Sequence, residues 1–370
     1  LAGISLSKTS SAKPLLSVQT IVLLEITWAV LALLFFLLFS VPIPGQGRPY
    51  WYSVGTSVFE TVAFVTAAIL CFRNYGSAQI VSGRNVWGCI GLGMLFYFIG
   101  GLLFSYWELG LGIEADVSPG DFFYVLTYIC LIIGMLLAVM SRRLNLEIWQ
   151  WGVVAVIAAI GIALASLVSL PANKAQALLI QPAAAQTSFE LAAKPTPGKA
   201  SPKPTAKPSV TAAPAAAPAA TASPSPAAPQ TVTPVPSGPH KAVPSESAEK
   251  PVPEWAKALK EQLAPLKPAL DWFYVISDIL LLIIATTLLL AFWGGRFAQS
   301  WRMIAAAAFC LYIADIWFKY ATNRLANYQS GGLLEVFWVF SGVLFGIGAV
   351  LEYDLSSRTR SRSGGRRRAS

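Results

Sequence analysis

Charge is what this sequence has least of. Asp, Glu, Lys and Arg make up 12% of 370 residues, against 55% hydrophobic, a balance that fits buried or lipid-embedded segments rather than one water-soluble core. Histidine occurs once, at His240 in low-complexity sequence, which excludes bis-His haem within a bilayer and most zinc chemistry. The four cysteines, Cys71, Cys89, Cys130 and Cys310, lie inside apolar runs. That excludes a secreted disulfide framework and leaves buried thiols, with Cys71 and Cys89 flanking one connection closely enough to approach each other. No cofactor and no metal are expected, and no cleavable signal is evident near Leu1.

The net charge of +9 does not describe the body of the chain. Six arginines, Arg358, Arg360, Arg362, Arg366, Arg367 and Arg368, sit in the last thirteen residues. The lysines of a Pro-rich segment supply most of the remainder, so the apolar body is near neutral, about −2. The arginine tail is expected to fix topology and to contact anionic lipid or a partner, at about 1 kcal/mol per residue near the surface. No specific nucleic-acid binding is expected, because no recognition motif accompanies it.

What the sequence does have is long apolar runs. A bilayer core of about 30 Å takes about 20 apolar residues as helix, and eight runs meet that length: 18–41, 51–72, 86–107, 121–140, 149–170, 270–293, 301–321 and 332–352. The expected fold is an all-α integral membrane protein. Tyr50, Trp51, Trp107, Trp149, Trp272 and Trp301 mark the ends of these runs as interfacial anchors. Arg73 with Arg84, Arg142 with Arg143, and Arg296 with Arg302 flank three short connections and place them in the cytoplasm. The connection carrying Glu108, Glu114 and Asp116 has no base and is expected outside. Residues 1–17 and 353–370 are then both cytoplasmic, in the inner (plasma) membrane of a bacterial cell.

Residues 171–253 break this pattern with Pro, Ala, Ser, Thr and Lys and no aromatic periodicity, the composition of a disordered extracytoplasmic linker spanning roughly 50 Å end to end. "PANKAQA" near its start mimics a signal-peptidase site. After it, residues 254–268 begin "EWAKALKEQL", expected as an interfacial amphipathic helix with Trp255, Leu259 and Leu263 on one face.

The linker conceals an internal repeat. Sliding the sequence by 214 residues brings Trp87, Ile90, Phe104, Phe123 and Gly134 onto Trp301, Ile304, Phe318, Phe337 and Gly348, and Asp121 onto Glu335, each opening its span. With a small slip Glu60 meets Asp278. The inferred architecture is two parallel four-helix repeats, spans 18–41 to 121–140 and spans 149–170 to 332–352.

Acids within spans are costly, about 2.5–3.5 kcal/mol each on insertion scales, and face a bundle interior or a cavity. Asp121 and Glu335 are expected as helix-cap acids, accepting backbone N–H groups at span starts. Glu60 and Asp278 lie two to three turns inside their spans, and with Asp315 they are the candidate residues of a polar cavity open to the outside that binds a cation or small polar ligand. Lys319, one turn from Asp315, is expected to pair with it, and Glu25 to snorkel toward the cytoplasmic side.

The stretch Phe104–Val139, "FSYWELGLGIEADVSPGDFFYVLTYICLIIGMLLAV", resembles the multi-span sensory input region at the N-terminus of many bacterial diguanylate cyclases and histidine kinases. Ser118, Pro119, Asp121, Tyr124 and Tyr128 match a stretch of the form P-S-x-A-D-x-x-Y-L-x-x-Y, with the Pro and Ser order altered. The resemblance covers residues 86–143 well and 270–352 faintly. It implies signal reception in the membrane, and residues 353–370 leave no room for a cyclase or kinase domain. The expectation is a non-catalytic stand-alone sensory module acting through a cytoplasmic signalling protein. A small-solute or cation transporter built from parallel repeats is the alternative from the acids, and an envelope tether or assembly factor the alternative from the linker.

Overall fold

An apolar stretch of about 20 residues satisfies its own backbone only as a helix when water is absent. The computed structural model describes residues 17–42, 48–113, 117–140, 147–169, 252–292, 298–325 and 328–366, with side chains to 358. All regular structure among them is helical: α1 Val18–Phe39, α2 Tyr50–Gly76, α3 Arg84–Ser105, α4 Gly120–Met140, α5 Ile148–Ser169, α6 Glu254–Leu263, α7 Lys267–Ala291, α8 Ala298–Arg324 and α9 Val336–Arg366. A single π-helical turn, Tyr106–Gly110, prolongs α3, and a 3-10 turn, Ala264–Leu266, joins α6 to α7. Eight of these segments are long and apolar enough to cross a membrane, which makes the chain a multi-pass membrane protein. The linker 171–251, residues 1–16, and Arg142, Arg143, Arg296, Glu114 and Asp116 lie outside the described residues.

Each span falls within a few residues of its apolar run, with two informative differences. The helix Glu254–Leu263 continues through the 3-10 turn Ala264–Leu266 directly into the span helix Lys267–Ala291. Along α6, Trp255 stays exposed while Ala256 is fully buried, and Ala256 packs with Leu259 against Trp107 and Ile113. The helix therefore docks on the turn after α3 with a small residue inward.

The bundle is interleaved. α3 packs between α2 and α4, α9 packs on α8, α2 and α1, and α7 packs on α8, α4 and α5. Trp87 of α3 and Trp301 of α8 meet in the core with ring centroids 6.1 Å apart. Around them Ala67, Ala68, Ala305, Ala308 and Ala349 let the backbones approach closely, which is how helices gain contact in a solvent as apolar as their own side chains. α1 and α5 lie at the rim and expose Leu23, Leu31, Leu38, Ile148, Val156 and Ile160, a surface suited to lipid.

At the end of the bundle where α9 leaves the apolar layer, the α2–α3 connection clasps it. Asn74 Nδ2 donates to the Ala349 carbonyl at 2.8 Å, Ser82 Oγ donates to Glu352 Oε1 at 2.7 Å, and Trp87 Nε1 donates to Ser82 Oγ at 2.8 Å. Arg73 lies over the Tyr353 ring at 4.3 Å. Beyond this clasp α9 continues as helix to Arg366.

Candidate functional site

At the opposite end, polar side chains of α2, α3, α4, α7, α8 and the turn before α9 converge on a cavity of ≈ 190 Å³. Seven carboxylates line it, Glu60, Glu108, Asp121, Asp271, Asp278, Asp315 and Glu335, with Lys267 and Lys319. The sequence-derived candidates Glu60, Asp278 and Asp315 thus face one space, and Asp121 and Glu335 share it.

Most of these acids meet a tyrosine. Tyr274 Oη donates to Asp121 Oδ1 at 2.6 Å, and Tyr97 lines the cavity with Glu60. Tyr328 donates to Glu335 Oε1. The Tyr128 oxygen lies 2.7 Å from Asp278 Oδ1 and 2.5 Å from Asp315 Oδ2, and Trp338 Nε1 donates to Asp315 Oδ1 at 2.8 Å. Burial, then the adjacent Glu335 carboxylate, push the Tyr328 hydroxyl well above the usual phenol range, so it remains a donor.

Asp121 and Glu335 also reach back to the chain ahead of their helices. Asp121 Oδ2 accepts the Ser118 N–H at 2.7 Å. Glu335 accepts the Gly331 N–H at 2.7 Å through Oε2 and the Gly332 N–H at 3.1 Å through Oε1. That arrangement needs a sharp turn at residue 331, where φ is +102°, a conformation glycine adopts without penalty. The turn is anchored from α2: Tyr52 Oη donates to the Gly331 carbonyl at 2.7 Å, and the Arg48 guanidinium donates to the Gln329 and Ser330 carbonyls.

Three sequence expectations are corrected: Trp107 and Trp301, expected as interfacial anchors, are fully buried against neighbouring helices, and two concern charged residues. Lys319 pairs with Asp271 Oδ1 at 3.1 Å and also donates to the Asp271 carbonyl, not with Asp315, because Asp315 is already turned toward Tyr128 and Trp338. Glu25 does not snorkel. It is 7% exposed and seated over Gly346, whose missing side chain leaves it room. The four cysteines are free thiols. Arg358 pairs with Asp354 at 2.9 Å along α9. The side chains of Arg360, Arg362 and Arg366, and Arg367 and Arg368 entirely, lie outside the described residues.

Tyr97, Tyr328, Trp338 and Asp271 were not singled out by sequence, and Tyr274, which with Trp272 reads from sequence as an interfacial anchor, instead donates to Asp121. Tyr124 and Tyr128 were singled out, at three and seven residues after Asp121, a spacing that puts all three on one helix face. Comparison of the chain with protein-family models, with curated proteins and with solved structures gives no match. Functional reading therefore rests on the geometry of the cavity and on the elements that leave it.

Proposed function

We propose that the chain is a non-catalytic sensory module in the inner membrane, receiving its signal in the acid–tyrosine cavity and passing it along α9 to a partner on the cytoplasmic side. The observation that carries this reading is the run of α9. It starts next to Glu335, brings Trp338 to the cavity, crosses the bundle, passes the Asn74 and Ser82 clasp and continues to Arg366. A rigid helix transmits a shift at one end to the other. Under this reading the arginine tail meets anionic lipid or the partner, and residues 171–253 form an outer spacer.

The reading includes two parallel four-helix repeats. Supporting it, Trp87 meets Trp301, Phe104 meets Phe318 at 6.3 Å, and two glycine contacts recur at the same offset of 214. A Cβ on Gly134 would meet Ile90 at 3.0 Å, and one on Gly348 would meet Ile304 at 2.6 Å. Similarly, α2 packs on α9 as α7 packs on α4. Parallel repeats around an acidic cavity also favour a small-solute or cation transporter as second reading.

Hydrogen exchange on the full chain in lipid nanodiscs tests the choice. In E60Q or D315N the sensory reading expects altered protection in residues 353–366, far from the substitution. Unchanged exchange there, together with solute or cation uptake into proteoliposomes that E60Q abolishes, is the transporter's result.

A further inference from the structure

The contacts of Tyr128 pose a question of proton supply. A phenol carries one hydroxyl proton, and an ionised carboxylate has none to give. Yet the Tyr128 oxygen lies within hydrogen-bond distance of both Asp278 Oδ1 and Asp315 Oδ2, at 2.7 and 2.5 Å. Were both ionised, one Tyr128 contact would set lone pair against lone pair, and two like charges would lie side by side within the bundle. A single additional proton satisfies every contact.

The donors indicate where it resides. Asp315 Oδ1 already accepts the Trp338 N–H at 2.8 Å, so Asp315 is the better-served anion. Asp278 is buried, at 4% exposure, and among the described hydrogen bonds it receives no N–H. The consistent chain runs from Asp278 O–H to the Tyr128 oxygen, and from Tyr128 O–H to Asp315 Oδ2. We propose that Asp278, Tyr128 and Asp315 form a proton-binding site that holds one proton per chain, with Asp278 as the acid, Asp315 as the carboxylate and Tyr128 as the relay between them.

Other charged and titratable groups face the site besides Asp121, Asp271 and Lys267 of the cavity lining. Glu60 comes from α2, Tyr97 from α3, Tyr124 from α4, Tyr274 from α7, and Lys319 and Tyr312 from α8. α9 brings Trp338, with Glu335 one residue ahead of its start. Lys319 is paired with Asp271, and the shared proton joins the two carboxyls through Tyr128. Its loss sets two anions on α7 and α8 against each other beside Trp338 of α9. That the protein uses this as its signal rests on the sensory reading above; the shared proton itself does not.

Infrared spectroscopy of the full chain in nanodiscs, with 13C-labelled aspartate to separate Asp from Glu, reads the proton directly as a protonated-carboxyl C=O band. At neutral pH the wild type is expected to show one such band that both D278N and D315N lose. In each variant the remaining Asp accepts the Tyr128 O–H with no second carboxylate beside it and ionises. Y128F is expected to keep the band at a shifted frequency, because the proton stays on the buried Asp278 while its phenol acceptor is removed. A band equally strong in wild type, D278N and D315N overturns the proposal, as does its absence from the wild type. Should both Asn variants fail to fold, Y128F decides: a shifted band supports the proposal and an unshifted one overturns it. If the band behaves as expected while exchange at residues 353–366 is identical with and without the proton, the site stands and the sensory reading falls.

Discussion

At Gly342 the backbone of α9 lies on Ala63 of α2 so closely that a Cβ would sit 2.9 Å from the Ala63 Cβ and 3.0 Å from its carbonyl carbon. Backbone cannot yield as a side-chain tip does. G342A is therefore expected to cost about 1–3 kcal/mol, seen as a lower thermal midpoint in detergent. G152A, in α5 with nothing within 4 Å, is expected to be neutral or to gain up to about 1 kcal/mol from helix propensity. Equal loss in both would contradict the close α2–α9 approach. The acid at 335 is a second test at this scale. E335Q keeps a carbonyl oxygen for the Gly331 or Gly332 N–H, whereas E335A keeps none and is expected to lose about 1 kcal/mol more in the same melt. Sequence alone pointed to Asp121, Glu335, Glu60, Asp278 and Asp315 because a carboxylate in an apolar run is conspicuous by itself. It did not point to Tyr274 or Trp338, since an aromatic in a membrane span has many ordinary reasons to be there, and only the packing of one helix on another turns it toward an acid.

The spans themselves were legible because each needs nothing beyond its own length and hydropathy, as the match between the apolar runs and α1 to α9 shows. Helix partners were not. Pairing α2 with α9, or Lys319 with Asp271, depends on which small residues let two backbones close up, and glycine and alanine are scattered through every span. α6 illustrates the limit: Trp255 was the conspicuous residue, yet Ala256 is the one buried, because the surface it meets is already filled by the large Trp107 ring. W107A removes that ring, and core truncations of this size cost about 3–5 kcal/mol. The loss is expected to appear locally, as faster hydrogen exchange across residues 254–263 with α3 and α4 protected. Unchanged exchange in α6 would mean that its docking does not depend on Trp107.

Taken over the described residues, seven carboxyl groups line the cavity end with Lys267, Lys319 and the nearby Arg48, and Arg73, Arg84 and Arg358 lie toward the end where α9 leaves the bundle. The distribution of bases sets the orientation proposed above, with the linker outside. In a cysteine-free background, A220C is expected to react with a membrane-impermeant thiol reagent added to spheroplasts, and R358C only after lysis. The reverse pattern would invert the topology and put the acidic cavity on the cytoplasmic side. The central claim joins the two ends: the state of the Asp278–Tyr128–Asp315 site sets the position of α9. The most direct measurement is the distance between spin labels at Ser77, just past the end of α2, and Arg358 on α9, taken on the full chain in nanodiscs across a pH titration. The account predicts a distance distribution that changes as the shared proton is lost and that does not respond to pH in D278N/D315N. A single, unchanging distribution in the wild type, over a range in which the carboxyl band disappears, would contradict it.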